Sequence, residues 1–389
     1  MKIQVAQRIQ SLPPYLFARI DELKAAEKAK GADLIDLGIG DPDLPTPPHI
    51  VAALAAGAAD PSTHRYPSYA GTIELRRAAA AFYKTRFGVS LDAASQVVTL
   101  IGSKEGIAHF PVAFVDPGDL VLVPDPGYPV YATGTKFAGG EVYLVPLRRE
   151  SGFLPDLKAI PKDIAKRAKI LWINYPNNPT AALAPPGFYE EVVAFAKEND
   201  VIIASDLAYS EMYFDEAKKP TSFLATPGAM DVGIEFYSLS KTYNMTGWRV
   251  GFAMGHKDLV GGLGKVKTNV DSGVFEAVQR AGQAALEGDQ TCVAAQRAIY
   301  KERRDVLCDG LAKLGFDVIK PEASFYCLIG NPKGMSSMDF AGKLLTEAGI
   351  VATPATGFGA QGEGFVRLTV CADKARLAEA VERMKKVKV

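Results

Sequence analysis

The 389-residue sequence predicts an α/β fold: a large unit on a mostly parallel seven-stranded sheet, followed by a smaller α+β unit. Three observations predict it. Seven short β-rich runs alternate with helical patterns through the middle of the chain. Most of these runs are apolar on both faces, as strands are when helices cover both sides of a parallel sheet. After about Ala277 the texture changes to long helical stretches with only scattered β-rich runs.

The runs are QVVTLIG, LVLVPD, EVYLVPL, KILWINY, VIIASD, IEFYSLS and RVGFAMG. Between them KEGIAHFPVAFV and GFYEEVVAFAKEND place apolar residues at helical spacing. Further on, EAVQRAGQAALEGDQTCVAAQRAIYKERRDVLCDGLAKLG reads as long helices broken near Gly288. FYCLIG, the helical SMDFAGKLLTEAG, EGFVRLTV and the helical DKARLAEAVERMKKV complete the smaller unit. No Pro/Gly/Ser linker marks the join, so a continuous helix is expected there. The division expected is an N-terminal arm (1–45) packing on the small unit, a large unit (46–280) and a small C-terminal unit (281–389).

Forty-four basic residues balance forty-four acidic ones, so no global field attracts nucleic acid or an anionic membrane, and any bound anion must be held locally. Cys292, Cys308, Cys327 and Cys371 form no CxxC pair, and reduced structural thiols fit a cytoplasmic enzyme. The N-terminal twenty residues have neither the long apolar run of a membrane anchor nor a signal-peptide pattern. His49, His64, His109 and His256 sit in no metal-ligand spacing, so no metal is expected.

Ligands of open parallel sheets sit beyond the C-terminal ends of the strands, and four informative segments fall there. In LIGSKEG a Gly-Ser-Lys turn opens a helix, so Ser103 and Lys104 suit a phosphate, although an N-cap serine needs no ligand. In NYPNNPT, Asn178 can donate to a ring oxygen, or serve only a turn. Asp206 ends an otherwise apolar strand, where a carboxylate needs a partner; Tyr209 follows three residues on. In SLSKTYNMTGWRVGF, Ser238, Ser240 and Arg249 suit phosphate oxygens around Lys241, whose amine a neighbouring cation would depress. Together they describe a ligand with a phosphate, a phenolic oxygen, a basic ring nitrogen and a lysine-reactive carbonyl. Pyridoxal 5′-phosphate has all four.

With these motifs, in this order, the chain resembles the fold-type-I pyridoxal-phosphate aminotransferases of class I/II, the aspartate aminotransferase superfamily, from DLGIGDPDLPTP to EGFVRLTV. The resemblance implies that Lys241 binds the cofactor covalently and shuttles the proton. It implies that Asp206 pairs with the ring nitrogen, Asn178 and Tyr209 hold the 3-oxygen, and Tyr128 stacks on the ring. Ser103, Lys104, Ser238, Ser240 and Arg249 would hold the phosphate, joined by Tyr66 from the other subunit of a homodimer. Arg367 would grip the substrate α-carboxylate. The asparagine motif departs from the family pattern, with Ala181 where a glycine is usual; if that position has φ > 0, alanine carries a cost.

LPPYLFARIDELK, IDLGIGDPDLPTP, LIGSKEGIAHFPVAFVDPGD and SLSKTYNMTGWRVGF resemble the bacterial LL-diaminopimelate aminotransferases of lysine biosynthesis. That resemblance implies 2-oxoglutarate as amino acceptor and adds Tyr15, Gly40 and Lys104 to Asn178 and Arg367 as substrate contacts. A glutamate of longer-chain relatives is Tyr69 here, which leaves Glu105 and Asp271 as candidates for the distal ammonium. GKVKTNVDSGVFEAVQR has no arginine before Arg280, which argues against strict aspartate specificity. An alanine-, aspartate- or methionine-type aminotransferase is the alternative, and a carbon–sulfur β-lyase shares Lys241, Asp206 and Arg367. GIGDPD lacks the third glycine and the strand–helix setting of a dinucleotide fingerprint, because Asp43 stands in its place.

Overall fold

The computed structural model describes residues 1, 3–10, 12 and 17–387. A short strand β1 (Ile35–Asp36) precedes the large sheet. That sheet is built from β2 (Val97–Leu100), β3 (Leu120–Asp125), β4 (Glu141–Pro146), β5 (Ala168–Asn174), β6 (Ile202–Asp206), β7 (Gly233–Ser238) and β8 (Gly251–Gly255). Their order across the sheet is β2-β8-β7-β6-β5-β3-β4. Every pairing is parallel except those of β8, which runs antiparallel to β2 and β7. Each of the seven β-rich runs of the sequence is thus a strand of one mostly parallel sheet.

Alternation along the strands fills both faces. Leu171, Ile173 and Tyr237 point into one core, and Ile170, Trp172, Ile234 and Phe236 into the other. One polar exception, Glu235, is fully buried on β7, and four donors surround it: Tyr83 Oη at 3.0 Å, Ser205 Oγ at 2.9 Å, Ser222 Oγ at 2.5 Å and the Phe223 N–H at 3.0 Å. These bonds tie β6, β7, the helix Ile73–Phe87 and the Ser222 turn together beneath the strand that leads to Lys241.

The helical tract breaks at Gly288, between Glu276–Glu287 and Thr291–Lys313. The second helix places Val293 in the core of the large sheet and Tyr300, Leu307 and Leu311 in a separate core. Around that second core lie β9 (Val318–Ile319), β10 (Tyr326–Gly330), β11 (Ile350–Val351), β12 (Thr353–Pro354) and β13 (Phe365–Thr369). Four of them form an antiparallel sheet of order β12-β13-β10-β9, while β1 pairs in parallel with β11. Ile35 and Leu37 pack in this second core. Among the described residues no helix is long and apolar enough to cross a membrane.

Candidate active site

A cavity of about 810 Å³ opens between the two cores, at the C-terminal edge of the large sheet. The ends of β5, β6 and β7 supply Asn174, Asp206 and Ser238; β2 leads into Ser103 and Lys104; and the second sheet contributes Tyr326, Thr353 and Arg367. The segment 38–40 crosses the opening.

Asp206 is 5% exposed. Tyr131 Oη donates to its Oδ2 at 2.7 Å, while Oδ1 is buried without a partner among the described residues. Burial pushes the carboxyl up to about 6, against lowering by the Tyr131 hydroxyl and the Ala208 N–H. Its backbone is fixed as well: Asn174 Nδ2 donates to the Asp206 carbonyl at 2.7 Å, and Asn174 Oδ1 accepts the Asn178 N–H at 2.8 Å. An acid so held suits a cationic N–H aimed at Oδ1.

Lys241 follows β7 in a one-turn helix, and its Nζ donates to the Gly40 carbonyl at 3.0 Å. Burial lowers its pKa first, and the charges of Arg249 and Arg367 lower it further. The sequence pointed to the neighbouring cation; desolvation is the larger cause. Gly40 has no room for a side chain, since a Cβ would lie 2.3 Å from Tyr326 Oη. That hydroxyl in turn meets Tyr209 Oη at 2.9 Å, and burial pushes both phenols up.

An anion corner forms where Ser103 and Lys104 begin the helix Ser103–Phe114. Gly102, with φ +74°, precedes it, and a Cβ there would lie 2.1 Å from Arg249 Nη2. The glycine therefore lets a guanidinium approach the free N–H groups of the helix start. Arg249 donates to the Thr246 carbonyl at 2.9 Å and pairs with no carboxylate among the described residues. Ser238 and Ser240 line the same cavity.

Arg367 is 4% exposed on β13, between the rings of Tyr326 and Phe358 at 4.3 and 4.5 Å. Nη1 donates to Asn178 Oδ1 at 2.8 Å and Nη2 to the Gly38 carbonyl at 2.7 Å, while Nε has no partner among the described residues. Neither acceptor is charged, so a buried cation faces the cavity uncompensated, which suits a carboxylate ligand.

Of the residues singled out from the sequence, the cavity thus gathers Gly40, Ser103, Lys104, Tyr128, Asn178, Asp206, Tyr209, Ser238, Ser240, Lys241, Arg249 and Arg367. Tyr66 lies apart, 88% exposed, and Tyr15 lies outside the described residues. Glu105 and Asp271 do not line it: the buried Lys267 Nζ holds Asp271 at 2.9 Å and Glu105 at 3.6 Å. Ala181 does have φ +59°, and a left-handed L-residue costs on the order of 1–2 kcal/mol.

Sequence reasoning missed Tyr131, Asn174, Tyr326 and Phe358, and the mouth residues Asp21, Lys24 and Asp36, the last two paired with each other. Only Tyr131 left a signal, standing one helical turn after Tyr128.

Residues 32–384 match the family model for aminotransferase class I and II. An LL-diaminopimelate aminotransferase of Syntrophobacter fumaroxidans is 60% identical over 382 residues, covering 98% of both chains. The solved structure of apo-BacF from Bacillus subtilis superposes with a TM-score of 0.95 at 39% identity, covering 100% of this chain and 99% of that one. A single mutant of Thermus thermophilus aspartate aminotransferase covers 100% of both chains with a TM-score of 0.93 at 30% identity.

Proposed function

The chain belongs to the aminotransferase class I and II family, and from that premise we propose that it moves an amino group between LL-diaminopimelate and 2-oxoglutarate, with pyridoxal phosphate held at Lys241. The observation that supports the cofactor is Asp206 Oδ1, buried without a partner among the described residues, in the cavity that Lys241 also lines. The substrate rests on the full-length relative.

Pyridoxal phosphate supplies a carbonyl for the amino group and a protonated ring that accepts the electron pair left by the α-proton. Asp206 would pair with the ring nitrogen, and a cation there relieves the cost of its burial. Ser103, Lys104, Ser238, Ser240 and Arg249 would hold the phosphate, Asn178 and Tyr209 the ring oxygen, and Tyr128 the ring face. Tyr66 would complete the phosphate site of a second copy in a homodimer, which its exposure permits. Arg367 would orient the donor by its α-carboxylate, with Gly40, Lys104, Asn178 and Tyr15 toward the rest of the substrate.

Lys241 does the proton work. Burial keeps its amine accessible in the neutral form, so Nζ can take the α-proton as a base and return it as an acid. Donor and acceptor use one site in turn, so the kinetics are ping-pong. A balanced net charge and the absence of a membrane-spanning helix among the described residues are compatible with a cytoplasmic location.

The test is a donor panel. LL-diaminopimelate, aspartate, alanine, methionine and glutamate are each offered to the cofactor-loaded protein, and conversion of the cofactor to its amine form is followed by absorbance. LL-diaminopimelate should convert it fastest. Faster conversion by aspartate, alanine or methionine would overturn the substrate, and pyruvate with ammonia from cystathionine would mark a β-lyase.

A further inference from the structure

Tyr131 is a fully buried tyrosine on the helix Val130–Ala138, three residues after Tyr128, and no role was read for it from the sequence. Its ring is fixed on two sides. Trp172 stacks on it at 4.7 Å with 13° between the planes, and Tyr128 meets it edge-on at 5.7 Å. Its carbonyl accepts Thr135 Oγ1 at 2.8 Å. A ring so held delivers its hydroxyl to one point, Asp206 Oδ2, at 2.7 Å. With the Asp206 backbone tied by Asn174, the carboxylate has one oxygen bound and one left facing the cavity.

We propose that Tyr131 is the positioning residue for Asp206: its hydroxyl fixes Oδ2, so that Oδ1 alone meets the ring nitrogen and leaves the shared proton on the ring. The inference rests on the cofactor reading above. The groups that face Asp206 are Tyr131, Tyr209 and Tyr326, and the other titratable groups of the cavity are Tyr128, the cations Lys24, Lys104, Lys241, Arg249 and Arg367, and the carboxylates Asp21 and Asp36. Burial makes the carboxylate a stronger base, and the Tyr131 bond is the largest opposing effect. Without that bond the proton would move toward the carboxylate, and the ring would accept electrons less readily.

The test is Tyr131→Phe in the full-length holoprotein, which removes one oxygen and keeps the ring and its stack on Trp172. The readouts are the nitrogen-15 signal of ring-labelled pyridoxal phosphate, the pH profile of the half-reaction and the division of its effect between kcat and KM. The signal should move toward that of a neutral ring, and the acidic limb should shift up by about one to two pH units. The rate should fall roughly 10- to 100-fold, with KM within about twofold. Trp172→Phe keeps the hydroxyl and should leave the nitrogen signal in place. An unchanged signal and pH profile in Tyr131→Phe would overturn the inference, and so would an equal change in Trp172→Phe, which would make packing the cause. A wild-type protein that binds no cofactor, or binds it with a neutral ring, would instead overturn the cofactor reading.

Discussion

Replacing Arg367 by lysine keeps a positive charge in place and removes its shape. A guanidinium carries five N–H donors, and protein acceptors take two of them, Asn178 Oδ1 at 2.8 Å and the Gly38 carbonyl at 2.7 Å. Three remain for a ligand, Nε among them. A planar cation also fits between the rings of Tyr326 and Phe358, at 4.3 and 4.5 Å, where an ammonium stacks poorly. Lysine cannot serve Asn178, Gly38 and a carboxylate from one nitrogen in these directions. With charge-assisted bonds worth about 1.5–3 kcal/mol each, losing a bidentate grip should cost roughly 3–4 kcal/mol. That corresponds to a fall of about 10²–10³ in kcat/KM for the donor half-reaction. The assay is stopped-flow absorbance of the bound cofactor against LL-diaminopimelate, with a primary amine lacking the carboxylate in parallel. Arg367→Lys should fill with cofactor normally and lose most of its preference for the amino acid over the amine. A variant within fivefold of wild type, with that preference intact, would refute the assignment.

Other perturbations separate the parts of the site. Asp206 titrates at about 6 rather than 3.8, so the folded chain keeps a proton that the unfolded chain has released, and stability falls as pH rises through that window and stays lowered above it. Asp206→Asn should therefore stabilise the cofactor-free protein by about 3 kcal/mol at pH 8 and by roughly half that at pH 5; equal melting temperatures for the two proteins at pH 8 would contradict this. Glu235→Ala strands four buried donors and should cost at least about 3 kcal/mol, seen as a clear drop in Tm, whereas an unchanged Tm would show that the network stabilises nothing. Gly40→Ala forces Tyr326 away from the new methyl and with it the Tyr209 contact, so the half-reaction should slow by about tenfold or more; wild-type turnover would mean that the Tyr209–Tyr326 bond is idle.

The large sheet was legible because burial on both faces leaves a plain signature: ILWI on β5 and IIAS on β6 carry almost nothing polar. Strand direction was not. GFAMG reads like its parallel neighbours, yet β8 runs against them, and only the chain's path decides that. The pairing of β1 with β11 joins residues about 315 positions apart through two residues each, too short for any periodicity to register. At the site, the residues proposed to hold a ligand stood out by their chemistry at strand ends, and the fold gathers them on one cavity. Those that orient them did not: Asn174 and Tyr326 look like ordinary strand residues until the fold brings their partners near. Lys267 is the converse case: nothing in GKVKTNVDSGVFEAVQR tells one lysine from another, yet this one is buried and committed to Asp271 and Glu105.

The most direct test of the whole account is to load the protein with pyridoxal phosphate, reduce it with borohydride, digest it and locate the added mass. The account predicts a single modified peptide with the adduct on Lys241. Adduct on Lys104 or another lysine, or a protein that takes up no cofactor, would contradict it.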